Sequence, residues 1–411
     1  MPTDEVPTEE AYPDDMPDDM SGAGPARSLL DGVTVLDLAS VGPAARASRW
    51  LADYGADVVK VGPVPGRSRV QTVPPAYAYG AHRGMSRALF DLKSEAGREA
   101  FLCLAERADV IIESFRPGVV DRLGIGYEAV RALNPRVVYC STSGYGQTGP
   151  RAGWAGHDLN YLAVGGYIHC SGRDERGGPT LPGATIADSA AGGLQAVVAI
   201  CAALVARATT HEGTYLDVSV ADGVLSLMSL TVDEHLAEGT RPGPRQGLLT
   251  GRYAWYDVYP AADDRWLAVA AIEPRFFANL CRELGCGQWL DLQYDDDAID
   301  AMRADFAAAF ATRPRDAWVA DLGPADTCVS AVLDIAEVVA DEQFTARHSF
   351  IDVDHPVAGP LRQVAATLAG QVEASTLAVT DQSRTATDEL LTAAGVDPDT
   401  VAAWRRECVI A

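Results

Sequence analysis

Two titratable side chains could move a proton between them: His157, in Gly156-His157-Asp158-Leu159-Asn160-Tyr161, and Asp188, in Ile186-Ala187-Asp188-Ser189. An imidazole titrates near neutrality and burial raises a carboxylate toward that range, so such a pair can exchange the roles of acid and base. A loop rich in Gly and Ser, Ser141 to Pro150, leads into the stretch that carries them. Small residues there allow close backbone approach and leave amides free for an anion or a carbonyl oxygen. Each feature also has a plainer reading. His157 suits a helix start, Asp188-Ser189 before an apolar run is a capping signature, and a glycine-rich loop is often only a turn.

The elements that must hold these groups follow from the pattern of apolar runs. Val33–Ala39, Ala56–Val61, Arg87–Leu92, Asp109–Glu113, Arg136–Ser141 and Gly213–Ser219 read as strands. Between them lie helical stretches at Ala44–Tyr54, Ser94–Arg107, Val119–Leu133 and 189–209, and another follows from Ala221 to about Gly239. Strands alternating with helices predict an open, doubly wound (Rossmann-like) α/β sheet with right-handed crossovers. No G-x-G-x-x-G follows the first strand, so a dinucleotide site has no support. In such sheets ligands bind beyond the carboxyl ends of the strands. There the loops Ser40–Pro43, Ser114–Gly118 and Ser141–Pro150 stand out.

After a Gly-, Pro- and Arg-rich linker at 240–251, strands at Tyr253–Tyr259 and Arg265–Ala271 predict a smaller α+β domain. Glu273 precedes Pro274, as an acid does at a helix start. Ser330–Leu333 reads as a strand, residues from about Glu337 as helix and loop, and Thr387–Gly395 as an amphipathic helix. The expected division is an acidic disordered tail (1–28), a large α/β domain (29–240), a small domain with linkers (241–335) and a C-terminal segment returning to the large domain (336–411).

The chain has 411 residues and a net charge of −24, which argues against nucleic acid or an anionic membrane as partner. Eight scattered cysteines without ligand spacing, and histidines without an H-x-x-x-H pattern, predict reduced thiols, no metal site and a cytoplasmic protein. The acidic N-terminus has no basic or apolar region of a signal peptide. The apolar run from Ala190 to Ala208 reads as a buried core helix.

The sequence resembles the class III CoA-transferase (CaiB/BaiF-like) family, which includes formyl-CoA transferase, carnitine-CoA transferases and α-methylacyl-CoA racemase. The resemblance rests on the 156–161 motif and on Leu51–Lys60, Phe90–Lys93, Glu113–Gly118, Ser143–Pro150, Ala187–Ser189 and Ala221–Gly223. Within the family the 156–161 motif, together with Ala271–Phe276, looks most like the racemase branch. The resemblance implies that His157 and Asp188 are the acid/base pair, assisted by Glu273 from the small domain. It also implies an interlocked homodimer whose active site forms where one chain's large domain meets its partner's small domain. The expected reaction is epimerisation of a 2-methylacyl-CoA-type thioester through an enolate. The alternatives are CoA transfer through an aspartyl anhydride and aspartyl-CoA at Asp188, and a non-catalytic thioester-binding homologue. No cofactor is expected beyond the coenzyme A moiety of the substrate.

An enolate oxygen needs hydrogen-bond donors, which backbone amides near Asp158 or in the 143–149 loop could supply. Gly144, Asp158 and Tyr161 are accordingly candidate contacts to the thioester. Lys60, Arg83, Arg87, Lys93 and Arg116 are candidate cations for the CoA phosphates, with Ser114 beside them and Phe115 able to stack on adenine. The chain departs from the family pattern at Val61-Gly62-Pro63, at Arg83-Gly84-Met85-Ser86-Arg87 and at Thr250–Ala254. These departures bear on phosphate binding and on the acyl pocket.

Overall fold

Strand β4 (Val110–Glu113) is buried at every position, and the strands beside it, β1 (Thr34–Asp37) and β5 (Val138–Ser143), are nearly so. A strand covered on both faces must be apolar throughout, which is why these segments read as unbroken runs. With β2 (Asp57–Pro63), β3 (Ser86–Phe90) and β6 (Thr214–Ser219) they form a parallel sheet in the order β3-β2-β1-β4-β5-β6. The structure, a computed structural model, describes residues 28–39, 42–65, 83–355, 359–365 and 385–411. All but the last residue of the expected acidic tail, residues 66–82, and Ser40 and Val41 lie outside the described residues.

Alternate side chains along each strand enter two separate cores, as the pleat requires. Val35, Val58, Val110, Ile112 and Val138 face the Gly42–Asp53 helix and the long Gln195–Thr210 helix. Leu36, Val59, Ile111 and Tyr139 face Phe101 and Leu104 of the Glu95–Ala105 helix. That second core also takes in Leu391, Val401, Trp404 and Ile410, so the C-terminal residues pack onto the sheet. Ile410 bridges Phe90 at the sheet's edge. The strand order reverses between β1 and β4, the switch point where loops diverge and leave a crevice.

A separate antiparallel sheet, β7 (Tyr256–Pro260), β8 (Trp266–Ala270) and β9 (Val329–Ala331), surrounds its own core of Trp255, Phe277, Phe306, Phe310 and Trp318.

Three expectations need correction. Val119–Leu133 is two helices, Val119–Arg122 and Tyr127–Leu133, because Gly124 takes a left-handed backbone (φ 71°) between them. The stretch from Ala221 likewise divides at Met228 into helices Val220–Leu227 and Ser229–Glu238. The region after Glu337 contains an antiparallel hairpin, β10 (Phe350–His355) with β11 (Gly359–Val364), and a last helix, Pro398–Arg406, capped by Asp397.

The apolar run before β6 starts as a π-helix, Ala187–Leu194, and continues as the Gln195–Thr210 α-helix. Together they are long and apolar enough, by length and composition, to cross a membrane; one face, with Ala196, Val197, Ile200 and Ala203, packs onto the sheet, while Val198 and Val205 are exposed.

Candidate active site

His157 is the residue before the Asp158–Val164 helix, with extended backbone. Its amide donates to Asn160 Oδ1 (3.0 Å) and its carbonyl accepts from the Asn160 amide (2.8 Å), so the helix start is closed by backbone and Asn160 and the imidazole is left exposed. The glycine loop leading to it lies flat on an aromatic ring. A Cβ at Gly144 would stand 2.4 Å from the Tyr161 ring, and one at Gly156 would stand 2.7 Å from it. The Tyr161 hydroxyl donates to the Gly156 carbonyl at 2.5 Å. Burial pushes that phenol up to about 12, so it remains a neutral donor. Gly144 and Tyr161 therefore shape the loop that delivers His157.

Asp188 does not cap its helix. Ile186 occupies the cap, and Asp188 lies inside the first π-helical turn. Its backbone amide is instead taken by Asp158 Oδ1, 2.9 Å away. One carboxylate thus ties together the starts of the two helices that carry His157 and Asp188, and the Asp188 carboxyl is not needed for capping. π-helical turns are rare and gather at functional sites. Burial holds Asp188 above the usual carboxylate range, and the neighbouring Asp158 charge pushes it further up. Arg46 and His157 pull it down. The pair singled out in the sequence is therefore close enough to interact electrostatically.

Close packing fixes the π-helix. A Cβ at Gly192 would meet Pro43 at 2.5 Å, and one at Gly223 would meet the Ala191 carbonyl oxygen at 2.0 Å. Only glycines let the Gly42–Asp53 and Val220–Leu227 helices approach this closely.

Arg46 was not foreseen. It sits half-buried on the helix after β1 and donates to Thr185 Oγ1 at 2.6 Å. The one signal for it was a lone cation in Ala44-Ala45-Arg46-Ala47.

Two expected phosphate ligands prove to be internal struts. Lys60 is 9 % exposed, pairs with Asp37 at 2.5 Å and bonds the Ala39 carbonyl. Arg83 is 1 % exposed, bonds both carboxylate oxygens of Asp53 at 3.2 Å and donates to the Val364 carbonyl at 2.6 Å. A buried charge must be paired, and these are. Lys93, Ser114 and Arg116 are exposed and Phe115 is half-buried, all just beyond the carboxyl ends of β3 and β4.

Glu273 begins the Pro274–Glu283 helix, where Pro274 fits the first turn. Its turn is braced by Gln293 Nε2, which donates to the Ile272 carbonyl at 2.7 Å. The Glu273 charge helps to raise the Cys328 thiol, and among the described residues no hydrogen bond joins Glu273 to His157 or Asp188. Among the described residues no cluster of His, Cys, Asp and Glu is placed to hold a metal ion.

An imidazole and a raised carboxyl thus stand within electrostatic reach of each other, with the glycine loop packed on Tyr161 beside the imidazole. Residues 30–380 match CoA-transferase family III, and the chain belongs to that family. Its relatives include α-methylacyl-CoA racemase of Homo sapiens, 34 % identical over 335 residues, covering 80 % of this chain and 85 % of that one. Acetyl-CoA:oxalate CoA-transferase of Acetobacter aceti is 32 % identical over 334 residues, covering 78 % and 85 %. The crystal structure of a CaiB/BaiF family protein from Brucella suis superposes with a TM-score of 0.71 at 28 % identity, covering 93 % of this chain and all of that one. The mixed α/β fold with its parallel central sheet is thus that of the family. The family holds both racemases and CoA-transferases.

Proposed function

We propose that this protein epimerises a 2-methylacyl-CoA-type thioester by two-base proton transfer. The observation that carries the reading is the joint placement of His157 and Asp188. They sit at the starts of two helices tied together by the 2.9 Å bond between Asp158 and the Asp188 amide. A racemase needs a proton acceptor on one face of the α-carbon and a donor on the other. The acceptor takes the α-hydrogen, the electron pair delocalises into the thioester carbonyl as an enolate, and the donor returns a proton from the opposite side. No other bond changes. Asp188, raised by burial, is suited to hold the proton in one direction and release it in the other.

Backbone amides of the 143–149 loop and of the helix start at Asp158 serve as donors to the enolate oxygen in this reading. Lys93, Arg116 and Phe115 serve the coenzyme A moiety. Glu273 acts from a second copy of the chain in a homodimer. Exposed Leu225, Leu227, Leu230 and Leu236 on consecutive helices support such an association, being an unusual run of apolar side chains to leave in water.

A second reading has an observation of its own. Arg46 lies within electrostatic reach of Asp188 and could draw in a carboxylate acceptor, as CoA transfer through an Asp188 anhydride requires. Transferases among the relatives support it equally.

One experiment separates them. The protein is incubated with a 2-methylacyl-CoA in heavy water and the α-carbon is followed by mass. The racemase reading expects deuterium uptake with loss of optical purity, and epimer interconversion falling by at least about a hundredfold in His157→Ala and in Asp188→Asn. Absence of uptake, with hydroxylamine-sensitive labelling of Asp188 in the presence of a CoA donor and a free acid, would establish the transferase instead.

A further inference from the structure

Glu113 ends β4 and is 2 % exposed, yet the acid–base chemistry does not use it. Its Oε2 accepts the Phe115 backbone amide at 2.7 Å. The Ser141 side chain on β5 lies beside its carboxyl and beside the Tyr215 phenol on β6. Thr142 Oγ1 donates to the Glu113 carbonyl at 3.2 Å. One strand further on, Asp217 accepts the Gln147 amide of the glycine loop at 3.0 Å. Glu113 and Asp217 thus each hold an amide of a loop that leaves a strand of the parallel sheet, Phe115 after β4 and Gln147 after β5.

We propose that Glu113 is a positioning residue for coenzyme A binding: its buried carboxylate holds the Phe115 amide and thereby sets the Phe115 ring and the exposed Arg116 guanidinium at the mouth of the crevice. The inference rests on the thioester reading above. The physical reason is local. The loop from Ser114 to Gly118 leaves a sheet whose hydrogen bonds end at Glu113, and the Phe115 amide would otherwise lack a partner at the sheet edge. A charged acceptor on that amide gives a shorter and stronger bond than a neutral one.

The groups facing Glu113 make this contact depend on pH. Besides Ser141 and Tyr215 they are Tyr139 and Cys140 on β5, Asp217 on β6 and Asp121 on the Val119–Arg122 helix. Burial, with help from the Asp121 and Asp217 charges, pushes the carboxyl up to about 7 against the pull of Ser141 and the Phe115 amide. Above that pH the carboxylate grips the loop. Below it the protonated acid accepts more weakly.

The test is binding of coenzyme A itself to the full-length wild type, to Glu113→Gln and to Glu113→Ala, by calorimetry across pH 5.5 to 8.5. Glu113→Gln keeps the shape and an acceptor oxygen, so it stands in should the alanine variant fail to fold. The coenzyme's own phosphates titrate alike in all three proteins, and the difference between the curves carries the result. Wild-type affinity should rise about fivefold to tenfold more than that of Glu113→Gln between pH 6 and pH 8, with a midpoint near 7. Glu113→Ala should bind about tenfold more weakly than wild type at pH 8. The proton-exchange kcat of Glu113→Gln at saturating thioester should match wild type. Curves for both variants that overlie the wild type would overturn the role of Glu113 alone. Failure of the wild type to bind coenzyme A at any pH would remove the thioester reading, and this inference with it.

Discussion

Asp188 is pulled in opposite directions: burial and Asp158 raise its pKa, Arg46 and His157 lower it. Variants that remove one influence at a time should therefore move the pH profile of kcat/KM in opposite senses. Asp158→Asn keeps an oxygen for the Asp188 amide but removes a negative charge, so the limb governed by Asp188 should shift to lower pH. Arg46→Met removes a positive charge, and the same limb should shift to higher pH. A stopped-flow or mass-detected exchange profile for each checks the signs. Glu113 supplies a stability counterpart. Its pKa rises from 4.5 to about 7 on folding, so the folded state holds its proton more tightly. This contribution of Glu113 to stability is full below 4.5 and is lost as pH rises through about 7. At pH 8 Glu113→Gln should raise the unfolding free energy by up to about 3 kcal/mol, measured by urea titration, with no gain at pH 4. The titratable pair itself was legible in the sequence, because His157 and Asp188 carry their chemistry in their residue types. Lys60 and Arg83 were not legible, because a cation in a strand or turn looks the same in sequence whether it faces water or a buried carboxylate. Arg46 was missed because an isolated cation in an alanine-rich helix carries no spacing signal.

At the scale of elements, the position of Asp188 depends on how closely the Gly42–Asp53 and Val220–Leu227 helices approach the π-helix. Gly223→Ala would push a methyl to 2.0 Å from the Ala191 carbonyl oxygen and force the Val220–Leu227 helix outward. It should cost about 1–3 kcal/mol of stability and reduce activity further than the folded fraction explains. Gly153→Ala, with nothing within 4 Å, is the matched control and should leave the melting temperature unchanged. Differential scanning calorimetry on both separates packing from mere loss of a glycine. Every strand of the parallel sheet was readable as a short apolar run bounded by Gly, Pro or polar residues. The π-helix was not, since its apolar pattern matches an ordinary helix and its extra residue per turn shows only in the backbone bonds. The β10–β11 hairpin was missed for a related reason: its strands alternate polar and apolar residues around Arg362 and Asp352, and only partial burial rewards them.

Across the whole molecule, Arg83 joins segments far apart in the chain: Asp53 at the end of the helix after β1, and Val364 on β11. Arg83→Met should leave Asp53 with Arg49 as its ion partner and the Val364 carbonyl without its donor. The expected loss is about 3 kcal/mol, read as a lowered urea midpoint, with coenzyme A affinity retained by the folded fraction. Were Arg83 a phosphate ligand, affinity would fall and stability would hold. The proposed pairing of two copies makes its own prediction: sedimentation should find a dimer, and Leu230→Asp with Leu236→Asp should dissociate it and abolish activity. The central claim is that His157 and Asp188 face one α-carbon from its two sides. It is tested most directly by offering each pure epimer of a 2-methylacyl-CoA, separately, in heavy water to His157→Ala and to Asp188→Asn. The account predicts that each variant exchanges the α-hydrogen of one epimer only, and that the two variants prefer opposite hands. Equal loss for both hands in both variants, or equal retention, would contradict it.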